Sequence, residues 1–259
     1  MFDKKVIWNG GVQPEALEIL CGSGGMIVCP TKVGYILMTS DKQGLERKFV
    51  AKQRNRNKPG VVLCGSMEQL KALAQLNPEI EAFYQAHWDA DILLGCILPW
   101  QQEAIDNLPD DGVNELMMDS RKTSCFVIKF GKPGEILAKE LWDNHRKFSF
   151  ASSANPSGKG NRGLVECIGE RIEQHADLII CANDYVKSIQ PEEREETRYE
   201  QGVIVSMVDD AGNLIPEQRG DRRITPCPVL IRKGLDVDKI ISLMSATFNS
   251  WDYRHGDYY

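Results

Sequence analysis

No Cys-x-x-Cys pair occurs in the 259 residues, although eight cysteines are present: Cys21, Cys29, Cys64, Cys96, Cys125, Cys167, Cys181 and Cys227. A zinc site of the usual paired spacing is therefore not indicated. Several of these cysteines sit inside apolar runs, as in Val28-Cys29, Leu63-Cys64 and Ile180-Cys181. There they read as small buried hydrophobes in a reducing compartment. No apolar stretch approaches the roughly 18 residues that cross a membrane. The opening Met-Phe-Asp-Lys-Lys has no apolar signal core, so a cytoplasmic chain without membrane association is the expectation. Internal repeats and low-complexity linkers are missing. So is the Gly-x-x-x-x-Gly-Lys-Ser/Thr loop of the P-loop proteins. Excess positive charge is lacking too: the net charge is −6. That argues against a general nucleic-acid-binding surface without excluding a local basic site.

What is present is an ordinary globular composition, 42% hydrophobic and 26% charged, in a chain long enough to bury a sizeable core. Short apolar runs predict strands at 26–29, 61–64, 92–98, 125–130, 148–151, 178–181, 203–208 and 229–232. Helices fit between them. Ser66-x-x-Gln69 is a capping-box pattern opening a helix over 67–76, and Asn77-Pro78 is a cap followed by proline at the first helical position. Ile80, Phe83, Tyr84 and Trp88 then share one helical face and read as core. Segments 42–52, 134–145, 164–175 and 236–247 also read as helices, and 209–213 reads as a hairpin turn. The stretch 99–123 is expected to be a long loop, 190–201 a charged loop, and 251–259 a tail on the surface or on a partner. Strands alternating with helices imply a single α/β domain with a mixed sheet.

Three loops carry chemistry. Lys52-Gln53-Arg54-Asn55-Arg56-Asn57-Lys58-Pro59-Gly60 gathers cations between a helix and a strand of an acidic chain. Fixed cations of this kind suit a triphosphate. A solvated basic turn is the competing reading, and the Pro-Gly ending favours a shaped site. Cys29-Pro30-Thr31-Lys32-Val33-Gly34-Tyr35 follows a strand directly, where ligands of α/β sheets lie. Thr31 and Tyr35 are placed to hold a polar ligand there, although an ordinary strand-to-helix loop fits as well. Ser152-Ser153-Ala154-Asn155-Pro156-Ser157-Gly158-Lys159-Gly160 follows another strand. Its small hydroxyls, Asn and glycines let a backbone approach phosphate and donate to it; alone it is equally compatible with a flexible turn.

In order and spacing these loops resemble the YrdC-like family of threonylcarbamoyl-adenylate synthases. The resemblance rests on Pro30-Thr31, on Lys52-x-Arg54-x-x-x-Lys58-Pro59, and on Ser153-Ala154-Asn155-Pro156-Ser157-Gly158. Val229-Leu230-Ile231-Arg232-Lys233-Gly234 is similar to the family's late strand, and Val205-Ser206-Met207-Val208-Asp209 to its Ser-Thr-Val-x-Asp stretch. The resemblance spans about 10–240, so 1–240 is read as the YrdC-like domain and 241–259 as a helix end and tail. It implies a twisted mixed α/β sheet with flanking helices and a concave basic cleft. It also implies a reaction joining L-threonine, bicarbonate and ATP into threonylcarbamoyl-adenylate with release of pyrophosphate, a product that feeds tRNA modification. On that basis Lys52, Arg54 and Lys58 are the catalytic cations. Thr31, Lys52, Arg54, Lys58, Ser153, Asn155, Ser206 and Arg232 would bind nucleotide, and Thr31 and Tyr35 would bind the amino acid. Mg²⁺ would accompany ATP, and components of tRNA modification would be partners.

The chain departs from the pattern on the amino-acid side. Val33 stands where the family has a second hydroxyl, and Ile36 where it has Gly. Trp88-Asp89-Ala90-Asp91 replaces a Trp-Pro-Gly-Pro-x-Thr stretch, and Lys129-Phe130-Gly131-Lys132-Pro133 lacks the family's His. Lys32 is expected either to attract a carboxylate or to sit solvated. These changes predict weak activity with L-threonine and better activity with another amine. The rival reading is a non-catalytic regulator of the same fold that binds nucleotide or double-stranded RNA; the acidic composition counts against an RNA role for the whole surface.

Overall fold

The computed structural model describes residues 3–53, 61–108, 111–156 and 159–256. Among them one sheet of 11 strands runs through the molecule. Its interior begins with β2 (Met26–Thr31), buried at every position, flanked by β3 (Gly34–Thr39) and β8 (Leu178–Cys181). Then come β7 (Phe150–Ser153), β4 (Val61–Leu63), β6 (Thr123–Ile128), β5 (Leu94–Pro99), β9 (Val203–Ser206) and β10 (Val229–Arg232). The edges are β1 (Lys5–Ile7), beside β8, and β11 (Asp252–Tyr253), beside β10. Parallel pairs (β2 with β8, β4 with β6, β5 with β9) alternate with antiparallel ones (β2 with β3, β3 with β7, β5 with β6), so the sheet is mixed, as the sequence implies.

Alternation along the strands sends side chains to two faces. Phe126, Leu94, Cys96, Val203 and Val205 join one core with α3 (Met67–Leu73), α4 (Pro78–Asp89) and α10 (Val237–Thr247). Ile27, Cys29 and Met38 face the other way and are covered by α1 (Pro14–Cys21) and α7 (Lys132–His145). Ser66 and Asn77 accept from Gln69 N and Ile80 N, the caps expected of them. Ile80, Phe83 and Tyr84 are fully buried.

Four segments differ from expectation. Strand β2 extends through Thr31, then turns at Lys32-Val33 straight into β3, so a hairpin stands where a strand-to-helix loop was the simple reading. Gly34 makes the return possible: its φ is +119°, and a Cβ there would collide with the Asn161 carboxamide. Pro30 is tolerated inside β2 because β8 pairs only with Ile27 and Val28. The 164–175 segment is helical only over α8 (Glu170–His175), after a 3₁₀ turn at Val165–Cys167, with Gly169 at φ +88° between them. The 99–123 stretch contains two short helices, α5 (Gln102–Asp106) and α6 (Asn114–Met117). The 240–241 boundary falls inside α10, whose Met244 is in the core, and β11 extends the sheet.

His87, on α4, is a histidine buried in the core. It is fully buried and its ring lies edge-on to Phe83 at 4.3 Å. Nδ1 is 2.7 Å from Phe83 O, and Nε2 has no hydrogen-bond partner. A second ring proton would be buried without an acceptor, so burial holds the pKa down at about 4. Above the ordinary value of about 6.5 both folded and unfolded forms are neutral. Between there and about 4 only the unfolded chain takes up the proton, so stability is lost as the pH is lowered through that window. The difference corresponds to about 3 kcal/mol. Urea unfolding of wild type and His87→Gln at several pH values should show the variant losing about that much less between pH 7 and 4. Identical pH profiles would remove His87 as the cause.

Candidate functional site

Helix α2 (Lys42–Lys52) begins at Asp41, which accepts from Gly44 N at 2.7 Å, and ends at Gln53 in a left-handed conformation. Lys52 is its last residue, where a cation favours the helix dipole. The side chain is buried, 7% exposed. Its ammonium reaches the loop after β7, donating to Ser153 O at 2.7 Å, Asn155 O at 2.6 Å and Asn155 Oδ1 at 3.0 Å, with Ser153 Oγ at 3.5 Å. The first cation of the basic segment and the Ser-Ala-Asn loop are thus brought together across 101 residues of chain. Arg54, Lys58, Ser157 and Gly158 lie outside the described residues.

The same loop is fastened from its other side by Asn161. Its Nδ2 donates to Tyr35 O at 2.9 Å and Ala154 O at 3.2 Å, while Oδ1 accepts from Tyr35 N at 3.3 Å. The residue is 5% exposed. Sequence reading passed over Asn161; the only signal was its place two residues beyond a Ser-Gly-Lys run, where an Asn commonly satisfies turn backbone.

Beside this loop lies a cleft of about 230 Å³, on the same sheet face as α1 and α7 but over the part of it that they do not cover. Thr31, Tyr35, Ser153 and Arg232 all line it. Its floor is apolar: Val61, Leu63 and Val127 lie next to a buried patch of Ile97, Cys125, Ile204 and Ile231. Arg232, on β10, donates from Nε to Gly202 O at 2.9 Å. The described lining carries one other ionised side chain, Glu200, from the charged loop, and Glu200 accepts from Arg162 N. Cys125 is no nucleophile, because burial pushes its thiol up to about 12.

Tyr35 borders the cleft, but its side chain is 1% exposed and packs away from the floor with Val28, Ile179 and Val186. Its OH donates to Asn183 Oδ1 at 2.6 Å and accepts from Ala182 N at 3.0 Å. Burial raises its pKa well above the ordinary range. Ser206 lies apart. It lines an adjoining hollow of about 540 Å³ with Arg121, Thr225 and Arg254. Ile204, two residues earlier on the same strand, reaches the main cleft, so the two hollows follow each other at about 7 Å along β9.

Lys32 is neither solvated nor directed to a ligand. Its side chain is 6% exposed, and its ammonium meets Asp91 Oδ2 at 2.8 Å and also donates to Asp91 O. Lys129 Nζ is 3.4 Å from the other Asp91 oxygen and 4.2 Å from the Trp88 ring centroid. The segments that depart from the family pattern therefore close on one another.

A mixed α/β sheet with one half-face left open, and a lysine-tethered Ser-Asn loop at its rim, defines a cleft-bearing α/β protein. The profile of the family described as telomere recombination (Sua5, YciO and YrdC) matches residues 20–192, and the chain belongs to that family. A hypothetical protein, smu.1377c, from Streptococcus mutans UA159 is 64% identical over all of both chains, with a TM-score of 0.95. P. abyssi Sua5, crystallised with L-threonine, is 21% identical, with a TM-score of 0.58, over 93% of this chain and 58% of its own. E. coli YciO is 20% identical, also at 0.58, over 85% of this chain and 88% of its own. No curated protein matches the chain in sequence.

Removing the Lys52 ammonium would strand the carbonyls of Ser153 and Asn155. Lys52→Met should cost about 1–3 kcal/mol, the desolvation penalty of unsatisfied buried acceptors. It should also expose the segment after β7 to limited proteolysis. Urea denaturation with protease mapping checks this; unchanged stability and cleavage would show that the tether is dispensable.

Proposed function

We propose that this protein is an ATP-dependent carbamoyl-adenylate synthase whose amine substrate differs from threonine. The observation that carries the reading is the convergence of Lys52, Ser153 and Asn155 at the rim of a cleft that also holds Thr31 and Arg232. Membership of the Sua5, YciO and YrdC family supports a related activity. The L-threonine complex of P. abyssi Sua5 supports an amino acid as the amine.

The chemistry asks for such a site. An amine and bicarbonate condense to a carbamate with loss of water. A carbamate oxygen then attacks the α-phosphorus of ATP, and the bond to pyrophosphate breaks. Nucleophile and electrophile are both anionic, so positioned cations must offset their repulsion and the charge that builds on the transferring group. Lys52, Arg54 and Lys58 are assigned that work, with Arg232 across the cleft. Ser153 and Asn155 supply short polar side chains to phosphate or carbamate, while Thr31 shapes the hairpin beside them, its hydroxyl bonded to Gly34 O. Ser206 in the adjoining hollow is assigned to the far end of the nucleotide. A carboxylate nucleophile requires no general base. Among the described residues no group of three His, Cys, Asp or Glu is placed to hold a metal, so Mg²⁺ would ride on the triphosphate and retain waters. No helix of the described residues is long and apolar enough to cross a membrane.

Pyrophosphate release from ATP should require both bicarbonate and an amine. Arg54→Ala or Lys58→Ala should lower it, or weaken ATP binding, by about 10²-fold or more, the scale of one lost charge donor. Wild-type affinity and turnover in both variants would remove the basic segment from the site. ATP binding with no pyrophosphate under any amine would leave the non-catalytic reading instead.

A further inference from the structure

Beyond the nucleotide end, the wall of the cleft is built by three segments distant in sequence: the hairpin tip at 32–33, residues 91–93, and residues 129–131. Each contributes one apolar side chain to the cleft: Val33, Leu93 and Phe130. Each also contributes, within two positions, one ion of the Lys32–Asp91–Lys129 cluster. The cluster ties the segments together, and a backbone bond from Lys32 N to Phe130 O at 2.8 Å joins two of them directly. The charges therefore set the wall while Asp91 occupies both ammonium groups. Two lysines that would otherwise offer positive charge to a substrate are paired with this chain's own carboxylate.

The hydroxyl nearest this wall is committed as well. Thr31 Oγ1 donates its one proton to Gly34 O at 2.8 Å and accepts from Val33 N at 3.2 Å. The floor beneath is Val61, Leu63 and Val127. Gly95 keeps that floor low, since a Cβ there would press on Cys125 Sγ at 3.0 Å and Val127 Cγ2 at 3.1 Å. Selection for a hydroxyl-bearing substrate needs buried partners that suffer when it is absent, and an apolar wall has none to offer.

We propose that the amine accepted by this cleft is an amino acid with an apolar side chain, which lies against Val33, Leu93 and Phe130. The inference rests on the carbamoyl-adenylate reading and names its substrate class. Valine and threonine are isosteres, so their comparison isolates the hydroxyl. Valine should exceed threonine in kcat/KM by about 10²-fold, and one further methylene, as in leucine or isoleucine, should add about tenfold or more.

The test uses the full-length protein with ATP, Mg²⁺ and bicarbonate, reading pyrophosphate release across valine, isoleucine, leucine, methionine, phenylalanine, serine and threonine. A parallel calorimetric titration adds valine, leucine or threonine to wild-type protein holding α,β-methylene ATP. Apolar preference in turnover, lost in Phe130→Ser with ATP affinity retained, supports the proposal. Preference for threonine overturns it and leaves the adenylate reading standing. Tighter binding of the apolar amino acids without any pyrophosphate release overturns the reaction but keeps the pocket's specificity. Neither binding nor turnover of an apolar amino acid, with wild type alone as the reporter, overturns the proposal whether or not Phe130→Ser folds.

Discussion

The bonds from the Lys52 ammonium to the carbonyl oxygens of Ser153 and Asn155 hold the site in one piece. A lysine buried to this degree must donate its protons to something, and here it donates to a loop that would otherwise leave backbone oxygens unpaired. The end of α2, the exit of β7 and the rim of the cleft become one unit. Asn161 completes it by closing the same loop onto β3. Replacing either side chain by an apolar one would leave several polar atoms in a dry place, which is why the arrangement behaves as a unit rather than as separable contacts.

From that rim the cleft changes character along its length. Near Ser153 and Arg232 it is polar, with Glu200 as the other ionised side chain of the described lining. Toward the hairpin it is apolar, and the nearby charges are tied up in the Lys32–Asp91–Lys129 cluster. The family resemblance implies a concave basic cleft; in the described lining, Arg232 stands beside Glu200 and a floor of aliphatic side chains. The departures from the family pattern cluster in space. Val33, Asp91 and Lys129 are far apart in sequence but lie in segments that adjoin in the fold, so a change in one segment bears on the other two.

Period and punctuation made most of the fold legible. The strands at 26–29, 178–181 and 229–232 and the caps at Ser66 and Asn77 follow from short-range physics: buried runs, and side-chain oxygens that satisfy helix amides. Strand β3 was missed because Tyr35–Thr39 carries no turn signal other than Gly34, whose positive φ is needed only once β2 and β3 are paired. Strand β11 was read as tail because two residues carry no periodicity; they pair only because β10 offers an edge.

By itself the sequence determined the chemistry available: a run of cations in an acidic chain, two loops of small polar residues after strands, and apolar runs sufficient for a mixed sheet. Those are matters of composition and neighbours along the chain. Only the tertiary structure decided which of these groups meet and which are already engaged. Lys52 could be counted from the sequence, but its partners lie 101 and 103 residues away. Lys32 could be offered to a substrate on paper, until Asp91, 59 residues on, took its ammonium. Tyr35 could lend a hydroxyl, until Asn183 accepted it. A hydrogen bond acts over about 3 Å, and the separation of two residues along the chain says nothing about whether folding brings them that close.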